Sequence, residues 1–414
     1  MTKINSLRGM PALYSDDLIS WTSVENNLEN IFKSYSLKEL RTPILEYTDL
    51  FKRSVGDTSD IVNKEIYAFN DRNDQSISLR PEGTAGVIRS IIEKKLDQQQ
   101  SKIWYMGPMF RYERPQKGRY RQFHQAGIEL LGYEEGPADF EMISIVSSII
   151  NELKITDVKL KINHLGDNES KAKFSRSLVK FLDPYKKELD TKDQIRLEKN
   201  PLRILDTKDT NLQKILQEGP SIKEFISDSA NELLLELQTT FSNSCKLEID
   251  YNLVRGLDYY TGLVFEASSA DLGAQDAFIG GGRYDNLSGM LGGKNLPAIG
   301  LAIGLERLIS ISSPNKADEK KVIFITSTSN IAPLAFKIAN QLRSLNSSVA
   351  LDMDLTDSSL KAKLRRANKT NASHALILGD QEIDSKNIII KSLMDDTEQV
   401  SVSIEECLDF YNKI

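Results

Sequence analysis

A basic stretch of mixed arginine and aromatic character, GPMFRYERPQKGRYRQFHQ, occupies residues 107–125 of this 414-residue chain. Five basic side chains surround Glu113: Arg111, Arg114, Lys117, Arg119 and Arg121. An isolated charge run is usually a solvated loop. Here an apolar strand pattern precedes Arg111 and would fix it, and guanidinium groups match phosphate oxygens in geometry. We therefore favour a polyphosphate-binding hairpin tip, although the formal net charge of the chain is -6.

Two carboxylates and an amide form a second candidate set. Gln125 and Glu129 are four residues apart on one predicted strand, so the two-residue period directs both to the same face as Phe123. Glu82 lies near a predicted helix start, where it could simply complement the helix dipole. An aromatic ring, an amide and carboxylates together favour a pocket for a small cationic ligand over a plain core.

Two further arginines are candidates for anion binding. Arg255 lies in LVRGLDYYTG and Arg307 in GLERL, and each could instead form a structural ion pair. Burying these two with Arg111 would be unfavourable without an anion to meet them. The run KAKLRRANK, residues 361–369, is either a solvated helix face or a contact for nucleic-acid phosphates.

Composition excludes several classes of protein. Hydrophobic residues make up 40% and charged residues 27% of the chain, and no stretch approaches the roughly 18 apolar residues of a membrane span. The N-terminus lacks the features of a signal peptide, so we expect a cytoplasmic protein. Two cysteines and three histidines argue against thiolate or all-histidine metal sites. P-loop, dinucleotide-binding and serine-hydrolase motifs are absent from the sequence.

Apolar patterning predicts the elements that position these residues. A helix is predicted after Ser15 as N-cap, then an extended segment RTPILE, a hairpin within residues 65–80, and a helix after Pro81. Residues 113–121 become a long hairpin tip between two strands. Further strands are predicted from LEIDYNLVRG, YTGLVFEASS, DAFIGGGRYDNL and PAIGLAIG. The expected architecture is an antiparallel sheet with helices beside it.

Three segments interrupt or follow this series. Residues from about 166 to 244 are rich in Lys, Glu and Asp and predict a helical insertion. Residues 312–320 have the composition of a linker. Residues 321–414 alternate strand and helix, which predicts a mostly parallel α/β domain. We therefore expect a first domain of residues 1–320 and a second of residues 321–414.

Several motifs resemble a known family. RTPILE with Pro43, the basic run up to Gly127, and AIGLERL are similar to motifs 1, 2 and 3 of class II aminoacyl-tRNA synthetases. LRPEGTAG, LVRGLDYYTG and GGRYDNL resemble the histidyl-tRNA synthetase family specifically, NPLRILDTKD (200–209) its insertion, and residues 321–414 its anticodon-binding domain. The resemblance implies an α+β fold: a six-stranded antiparallel catalytic sheet with flanking helices and a helical insertion, plus a C-terminal α/β anticodon-binding domain.

The resemblance also implies an activity. Members of the family activate L-histidine with ATP to histidyl-adenylate and transfer histidine to the 3′ end of tRNA(His). This implies ATP as substrate, Mg²⁺ carried with ATP, and a homodimer formed through the motif 1 region, with no membrane partner. One alternative is a non-charging, synthetase-like regulatory subunit of histidine biosynthesis, and another is a tRNA-sensing pseudo-synthetase. The intact LVRGLDYYTG and C-terminal domain favour the enzyme.

The family's functional residues carry over to positions in this sequence. The catalytic pair would be Arg255 and Arg111, both at the α-phosphate. ATP would be bound by Arg111, Glu113, Arg119, Phe123 and Arg307. Histidine would be bound by Glu82, Thr84, Gln125, Glu129, Tyr259 and Tyr260. Arg114 and Gln116 would approach the tRNA acceptor stem, and no residue is assigned as a metal ligand. His164, where the family commonly has a smaller residue, is expected to be structural.

Overall fold

A computed structural model describes residues 3–56, 59, 61–116, 118–207, 209–242, 245–273, 276–313, 321–327, 332–370, 372–395 and 397–414. Contacts divide the chain into two compact units, Met1–Lys316 and Ala317–Ile414. Lys117 of the basic run, the end of the expected insertion at 243–244 and positions 314–320 of the expected linker lie outside the described residues.

The first unit is built on two sheets. Its strands are β1 (Lys38–Glu39), β2 (Leu45–Tyr47), β3 (Ala68–Asn70), β4 (Ser76–Leu79), β5 (Ser101–Phe110), β6 (Gln122–Leu131), β7 (Val158–His164), β8 (Leu247–Ile249), β9 (Thr261–Ser269), β10 (Ala277–Arg283) and β11 (Ala298–Gly304). The large sheet has the order β1-β5-β6-β11-β10-β9-β7-β8, and the small one β2-β4-β3. The six inner strands of the large sheet are antiparallel, which confirms the predicted sheet. The short strands β1 and β8 add a parallel pair at each edge, which the sequence did not predict.

Helices cover one face of the large sheet. The helices of the first unit are α1 (Asp16–Ser34), α2 (Thr48–Val55), α3 (Thr84–Glu93), α4 (Pro137–Glu152), α5 (Asn168–Leu182), α6 (Thr191–Lys199), α7 (Thr210–Gln217), α8 (Asp228–Phe241), α9 (Leu287–Met290) and α10 (Leu305–Ile311). The predicted helical spacing from Trp21 to Phe32 forms the buried stripe of α1, which packs in one core with α4 and the sheet. Ser15 occupies the predicted N-cap position, but with φ 49° its side chain accepts no hydrogen bond from the helix backbone. Its hydroxyl instead donates to the Asp16 carboxylate at 3.3 Å.

The segment between β7 and β8 is helical, as predicted. Its charged composition is explained partly by helix capping, since Asp167, Asp190, Asp209 and Ser227 each accept a hydrogen bond from a backbone N–H at a helix start. A separate apolar cluster of Leu178, Leu182, Leu189, Leu197, Ile204 and Leu212 holds α5, α6 and α7 together. The insertion therefore has a small core of its own.

One predicted strand is much shorter than expected. LEIDYNLVRG gives only β8, which ends at Ile249. Asp250 ends it: its carboxylate accepts from the backbone N–H of Asn252 at 3.0 Å, and its carbonyl accepts from Leu253 at 2.9 Å. Such an Asx turn competes with strand pairing. Arg255 consequently lies in a loop, residues 250–260, and not on the sheet.

His164 has the structural environment expected of it. Its side chain is buried, Nδ1 accepts from the Gly166 N–H at 3.0 Å, and Nε2 lies 2.8 Å from Glu135 Oε1. These contacts fix the neutral tautomer with the proton on Nε2. The hydrogen bond from His164 is also the main cause that lowers the pKa of Glu135.

The second unit has a five-stranded sheet. Its elements are β12 (Lys321–Thr326), α11 (Ala332–Leu345), β13 (Ala350–Met353), α12 (Leu360–Ala367), β14 (His374–Leu378), α13 (Asp380–Ser385), β15 (Asn387–Ser392), β16 (Val400–Ser403) and α14 (Ile404–Lys413). In the order β13-β12-β14-β15-β16, the first two pairs are parallel and the last two antiparallel. The prediction of a mostly parallel sheet is therefore wrong for its second half. Residues 379–386 are too few for a parallel crossover, which needs about a dozen residues.

The basic run on α12 is not a uniform solvated face. Lys363 is buried and donates to the Thr326 carbonyl at 2.9 Å. Arg366 donates to the Asp354 carboxylate at 2.8 Å.

No helix in the described part of the chain is both long and apolar enough to cross a bilayer.

A buried ion pair joins α4 to the end of β10. Arg283 and Asp139 are both fully buried, with Nε 2.9 Å from Oδ1 and Nη2 3.0 Å from Oδ2. Asp139 also accepts from the Gly136 N–H at 2.6 Å, so it fixes the start of α4. Removing one partner of such a pair leaves a buried charge without its counterion.

We expect Asp139→Ala to lower the free energy of unfolding of the first unit by about 3–5 kcal/mol. Both tryptophans of the chain, Trp21 and Trp104, lie in this unit, so urea unfolding followed by tryptophan fluorescence measures it selectively. Asp49→Ala is the control, because Asp49 is 70% exposed and 3.9 Å from Lys52, and should cost less than about 1 kcal/mol. Equal losses in the two variants would contradict the assigned role.

Candidate active site

A cleft opens on the face of the large sheet opposite α1 and α4. Its walls come from β6, β10, β11, the start of α3, the hairpin tip and the 250–260 loop. The predicted site residues on its wall are Glu82, Thr84, Arg111, Glu113, Arg119, Phe123, Gln125, Arg255, Tyr259, Tyr260 and Arg307. The structure thus brings together residues spread over more than 200 positions of sequence. Glu129, Arg114 and Gln116 do not line the cleft.

Strand β6 divides its side chains between the two faces of the sheet. Phe123 and Gln125 face the cleft, as the two-residue period predicts. His124 points the other way, where its ring meets Trp21 of α1 edge to face at 4.9 Å. Glu306 accepts from the His124 backbone N–H at 2.9 Å, so the first turn of α10 is tied to β6.

Glu82 begins the acidic end of the cleft. Its carboxylate accepts from the backbone N–H groups of Thr84 at 2.7 Å and Ala85 at 2.8 Å, so it caps α3. Burial raises the pKa of Glu82, and the two backbone hydrogen bonds oppose that shift. Glu82 therefore stabilises the start of α3 and also lines the cleft. The helix-start interpretation and the binding-pocket interpretation of this residue are compatible.

Glu129 lies behind the wall of the acidic end. It is fully buried, accepts from Thr84 Oγ1 at 2.8 Å, and accepts a second hydrogen bond from the Tyr284 hydroxyl. Burial is the main cause that raises the pKa of Glu129 to about 8, against the effect of these two hydrogen bonds. Its side chain therefore reaches the cleft only through Thr84 and Tyr284 in this structure.

Tyrosines surround these carboxylates. The ring of Tyr259 packs against Tyr260 at a tilt, with centroids 4.7 Å apart, and meets Tyr284 edge to face at 5.6 Å. Burial is the main cause that raises the pKa values of all three hydroxyls. Sequence reasoning assigned no role to Tyr284 or to Tyr105, whose ring lies against Gly83 and Gly127. The sequence did contain an indication of both tyrosines. Tyr284 lies within the motif GGRYDNL, and Tyr105 packs on Gly83 of the motif LRPEGTAG.

The opposite, arginine end of the cleft consists of Arg111, Arg119, Arg255 and Arg307. Arg111 Nε donates to the Pro81 carbonyl at 2.9 Å, and its guanidinium lies 5.2 Å from the centre of the Phe123 ring. Glu113 is 2.5 Å from Arg119 Nε and 3.9 Å from Arg111 Nη1. The hairpin tip therefore presents two guanidinium groups held by one carboxylate.

Arg255 reaches the arginine end from the 250–260 loop. It pairs with Glu266 of β9, and its guanidinium lies directly over Gly280 of β10, where any Cβ would overlap it. Arg307 of α10 donates to the carbonyls of Ala277 at 2.6 Å and Gly118 at 3.3 Å. Burial, followed by repulsion from Arg119, lowers the pKa of Arg307.

Three buried polar atoms of the cleft lack hydrogen-bond partners in the described part of the chain: Glu113 Oε2, Gln125 Oε1 and Arg255 Nε. Glu113 Oε2 has the ion pair with Arg119, which leaves Gln125 Oε1 and Arg255 Nε. Buried polar groups in folded proteins are nearly always satisfied, so these two atoms point to a ligand or to ordered water. One ligand would be held between cations at one end and carboxylates at the other. Such an arrangement binds a phosphate and stabilises negative charge at phosphorus beside a bound ammonium group.

Arg114 and Gln116 lie apart from the cleft on the outer part of the hairpin tip. Both are exposed, and Gln116 pairs with Arg119 in an isolated antiparallel bridge. Their position suits contact with a large partner that approaches the cleft from outside.

Known proteins match the chain over its whole length. The family profile described as histidyl-tRNA synthetase matches residues 13–308, and the profile described as anticodon binding domain matches residues 321–414. A histidine–tRNA ligase of Francisella philomiragia is 40% identical over 429 aligned positions, covering 100% of both chains. That of Prochlorococcus marinus is 42% identical and covers 100% of this chain and 97% of its own. The apo crystal structure of the Staphylococcus aureus histidyl-tRNA synthetase has TM-score 0.82 and 30% identity, covering 99% of this chain and 100% of its own.

The antiparallel sheet and its cleft are those of a class II aminoacyl-tRNA synthetase, with a C-terminal anticodon-binding domain that has its own sheet. Within that class, the chain belongs to the histidyl-tRNA synthetase family.

The raised pKa of Glu129 predicts a pH dependence of stability. The folded state keeps a proton near pH 8 that the unfolded chain releases near pH ~4.3. The stability from protonated Glu129 is therefore complete below about pH 4.3 and is lost as the pH rises toward 8. We expect Glu129→Gln, which cannot ionise, to gain on the wild type by about 1.4 kcal/mol per pH unit between about pH 5 and 7.5.

Urea unfolding followed by tryptophan fluorescence at several pH values measures this difference. Glu29→Gln is the control, because Glu29 is 41% exposed and paired with Lys33 on the surface of α1. Its stability difference from the wild type should be flat over the same pH range. A flat difference for Glu129→Gln would show that Glu129 is already ionised near neutral pH.

Proposed function

We propose that the cleft carries out the two-step reaction of a histidine–tRNA ligase. In the first step, a carboxylate oxygen of L-histidine attacks the α-phosphorus of ATP, and the bond to pyrophosphate breaks to leave histidyl-adenylate. In the second step, the ribose hydroxyl at the 3′ end of tRNA(His) attacks the carbonyl carbon of the adenylate, and AMP leaves. Both steps move negative charge through the transition state, so fixed cations are the main catalytic requirement.

The arginine end suits ATP. Arg111 and Arg255 would hold the α-phosphate, with Arg255 also near the histidine carboxylate, and Arg119 would meet the outer phosphates. Phe123 and Arg307 would enclose the adenine ring, with Glu113 near its amino edge. The support is geometric: carbonyl oxygens and carboxylates already hold these guanidinium groups in place, so little reorganisation is needed when charge develops.

The acidic end suits the amino acid. Glu82, Thr84 and Gln125 would bind the α-ammonium group, and the unpartnered Gln125 Oε1 supports this assignment. Tyr259 and Tyr260 would line the imidazole pocket, with Glu129 reached through Thr84 and Tyr284. A site that recognises ring nitrogens by buried hydrogen bonds rejects analogues lacking them by roughly 10⁴-fold or more.

The single observation that carries this proposal is the separation of charge along one cleft. The cleft is lined by Arg119, Arg255 and Arg307 and by the buried carboxylate of Glu82, behind which Glu129 lies. Arg111 connects the two groups, since its Nε donates to the Pro81 carbonyl next to Glu82 and its Nη1 lies 3.9 Å from Glu113. An amino acid joined to a nucleotide phosphate has the same polarity, with its ammonium group on one side and its phosphate on the other. The reacting carboxylate would then lie between the two ends.

Several finer assignments belong to the same proposal. Magnesium would arrive with ATP, without a dedicated set of protein ligands. The first domain, residues 1–320, would catalyse, and the second, residues 321–414, would bind the anticodon arm of tRNA(His) in the cytoplasm. A homodimer would form through the small sheet, where Leu45, Tyr47 and Phe69 are each about half exposed.

The non-charging regulatory subunit is not favoured. That alternative resembles a synthetase without the C-terminal domain and with a degraded LVRGLDYYTG motif. This chain has the C-terminal unit Ala317–Ile414. Arg255 of that motif lies on the wall of the cleft and pairs with Glu266.

Histidine-dependent exchange of pyrophosphate into ATP tests the first step directly. We expect Arg255→Ala to slow exchange by ~10²-fold or more, since it removes a fixed cation from the reacting phosphorus. Arg176→Ala, an exposed arginine of α5 away from the cleft, is the matched control and should exchange at the wild-type rate. Exchange by Arg255→Ala near the wild-type rate would exclude the proposed role.

The hairpin tip can be tested separately. Arg114 is exposed and off the cleft wall, so we expect Arg114→Ala to keep full pyrophosphate exchange. Its loss should appear only in tRNA charging, as a higher KM for tRNA(His) that depends less steeply on salt than the wild-type KM does, since a phosphate contact is removed. If exchange fell in parallel with charging, Arg114 would act on the first step instead.

A further inference from the structure

The helical insertion holds the loop that carries Arg255, Tyr259 and Tyr260. This loop, residues 250–260, connects β8 to β9 and lies outside the ladder of the sheet. Its first half is fixed by the sheet, since the fully buried Asn163 of β7 donates to the carbonyls of Tyr251 at 3.2 Å and Leu253 at 2.9 Å. Its second half is fixed by another part of the chain.

The side chains that reach the second half come from the insertion. Arg203 Nη2 donates to the Gly256 carbonyl at 2.8 Å, and its Nε and Nη2 lie 3.1 and 3.0 Å from Asp258 Oδ1. Asn200 Nδ2 donates to the same Asp258 oxygen at 2.6 Å. Lys171 of α5 donates to the Tyr260 carbonyl at 2.8 Å. These contacts bracket the backbone between Arg255 and the two tyrosines.

Asp258 is the common acceptor and is held on its other side as well. A Cβ placed on Gly56, which has φ +90°, would lie 2.5 Å from Asp258 Oδ2. Arg203 and Asp258 are 17% and 27% exposed, so their pair is shielded from bulk water and screened less than a surface pair. A half-buried guanidinium that meets a carboxylate and a carbonyl together restricts both the position and the direction of the loop.

We infer that Arg203 and Asn200, in the motif NPLRILDTKD, are positioning residues for the amino-acid side of the cleft. This inference rests on the proposed function and names a task for a motif that the reaction itself does not use. Arg203 and Asn200 fix Asp258, and Asp258 fixes the loop that presents Arg255 and the tyrosine pair. The adenine and the outer phosphates would be held by other elements, the hairpin tip and α10, whereas Arg255 at the α-phosphate belongs to this loop. Loss of the contact should therefore act on histidine binding and, through Arg255, on kcat, and less on the binding of ATP.

The test is the steady-state kinetics of histidine-dependent pyrophosphate exchange, with histidine and ATP varied separately. We expect Arg203→Ala to raise KM for histidine and lower kcat, so that kcat/KM for histidine falls by ~10- to ~100-fold. KM for ATP should change less than KM for histidine, because the adenine and the outer phosphates would be bound by other elements. Arg203→Lys keeps a cation near Asp258 and should recover part of the loss.

Arg196→Ala is the matched control. Arg196 also belongs to the insertion and pairs with an aspartate, Asp193, at 3.0 Å, with 22% exposure against 17% for Arg203. In the part of the chain that the structure describes, its side chain bonds Asp193 of the same helix and does not line the cleft. All kinetic constants of this variant should therefore match the wild type. Asn200→Ala is the second variant, which removes the other donor to Asp258 and should raise KM for histidine even if Arg203→Ala does not fold.

The outcomes separate the two claims. A wild-type protein without histidine-dependent exchange would contradict the proposed function, and this inference with it. An active wild type whose kinetic constants are matched by Arg203→Ala, or by Asn200→Ala if only that variant folds, would overturn this inference alone. Equal losses in Arg203→Ala and Arg196→Ala would also overturn it, because the effect would then be general to the insertion.

Discussion

The site depends on glycines in the strands beneath the cleft, because side chains of the site occupy the space where a Cβ atom would lie. A Cβ on Gly280 would overlap the Arg255 guanidinium, and one on Gly300 would overlap the Glu129 carboxylate. On Gly127 it would overlap the ring of Tyr105. These glycines lie on β10, β11 and β6, three adjacent strands of the antiparallel sheet. The side chains of Arg255, Glu129 and Tyr105 therefore lie directly against glycine backbone. Any larger residue at these glycine positions would displace them.

Burial against these strands gives the polar groups their chemistry. Glu129 has a raised pKa because the sheet and the tyrosines exclude water from it. Arg255 is held by Glu266 on one side of its guanidinium and lies against Gly280 on the other. In surroundings of low dielectric, charge interactions are stronger than in water, and fixed groups need little reorganisation. The same burial makes each group depend on its partners, because an unpaired charge there would be destabilising.

Local patterns predicted the parts of the site that lie on one strand or one helix start. The alternation in β6 placed Phe123 and Gln125 on the cleft face and His124 on the other. What the patterns missed depends on contacts between distant segments. Asp250 ended a predicted strand early and moved Arg255 into a loop. Tyr284, directly after β10 and far along the chain, donates to Glu129, and no spacing within one segment indicates that contact.

The loop of residues 250–260 shows why such distant contacts recur at this site. A side chain on a strand is directed by the pleat, whereas one on a loop has a direction only if the loop is held. In the proposed reaction Arg255 would meet a phosphate, and the rate of such a step falls steeply when a catalytic group shifts by even about 1 Å. The sheet holds the loop at Asn163, and the insertion holds it at Asp258. The direction of the Arg255 guanidinium therefore depends on two anchors of its loop, one from the sheet and one from the insertion.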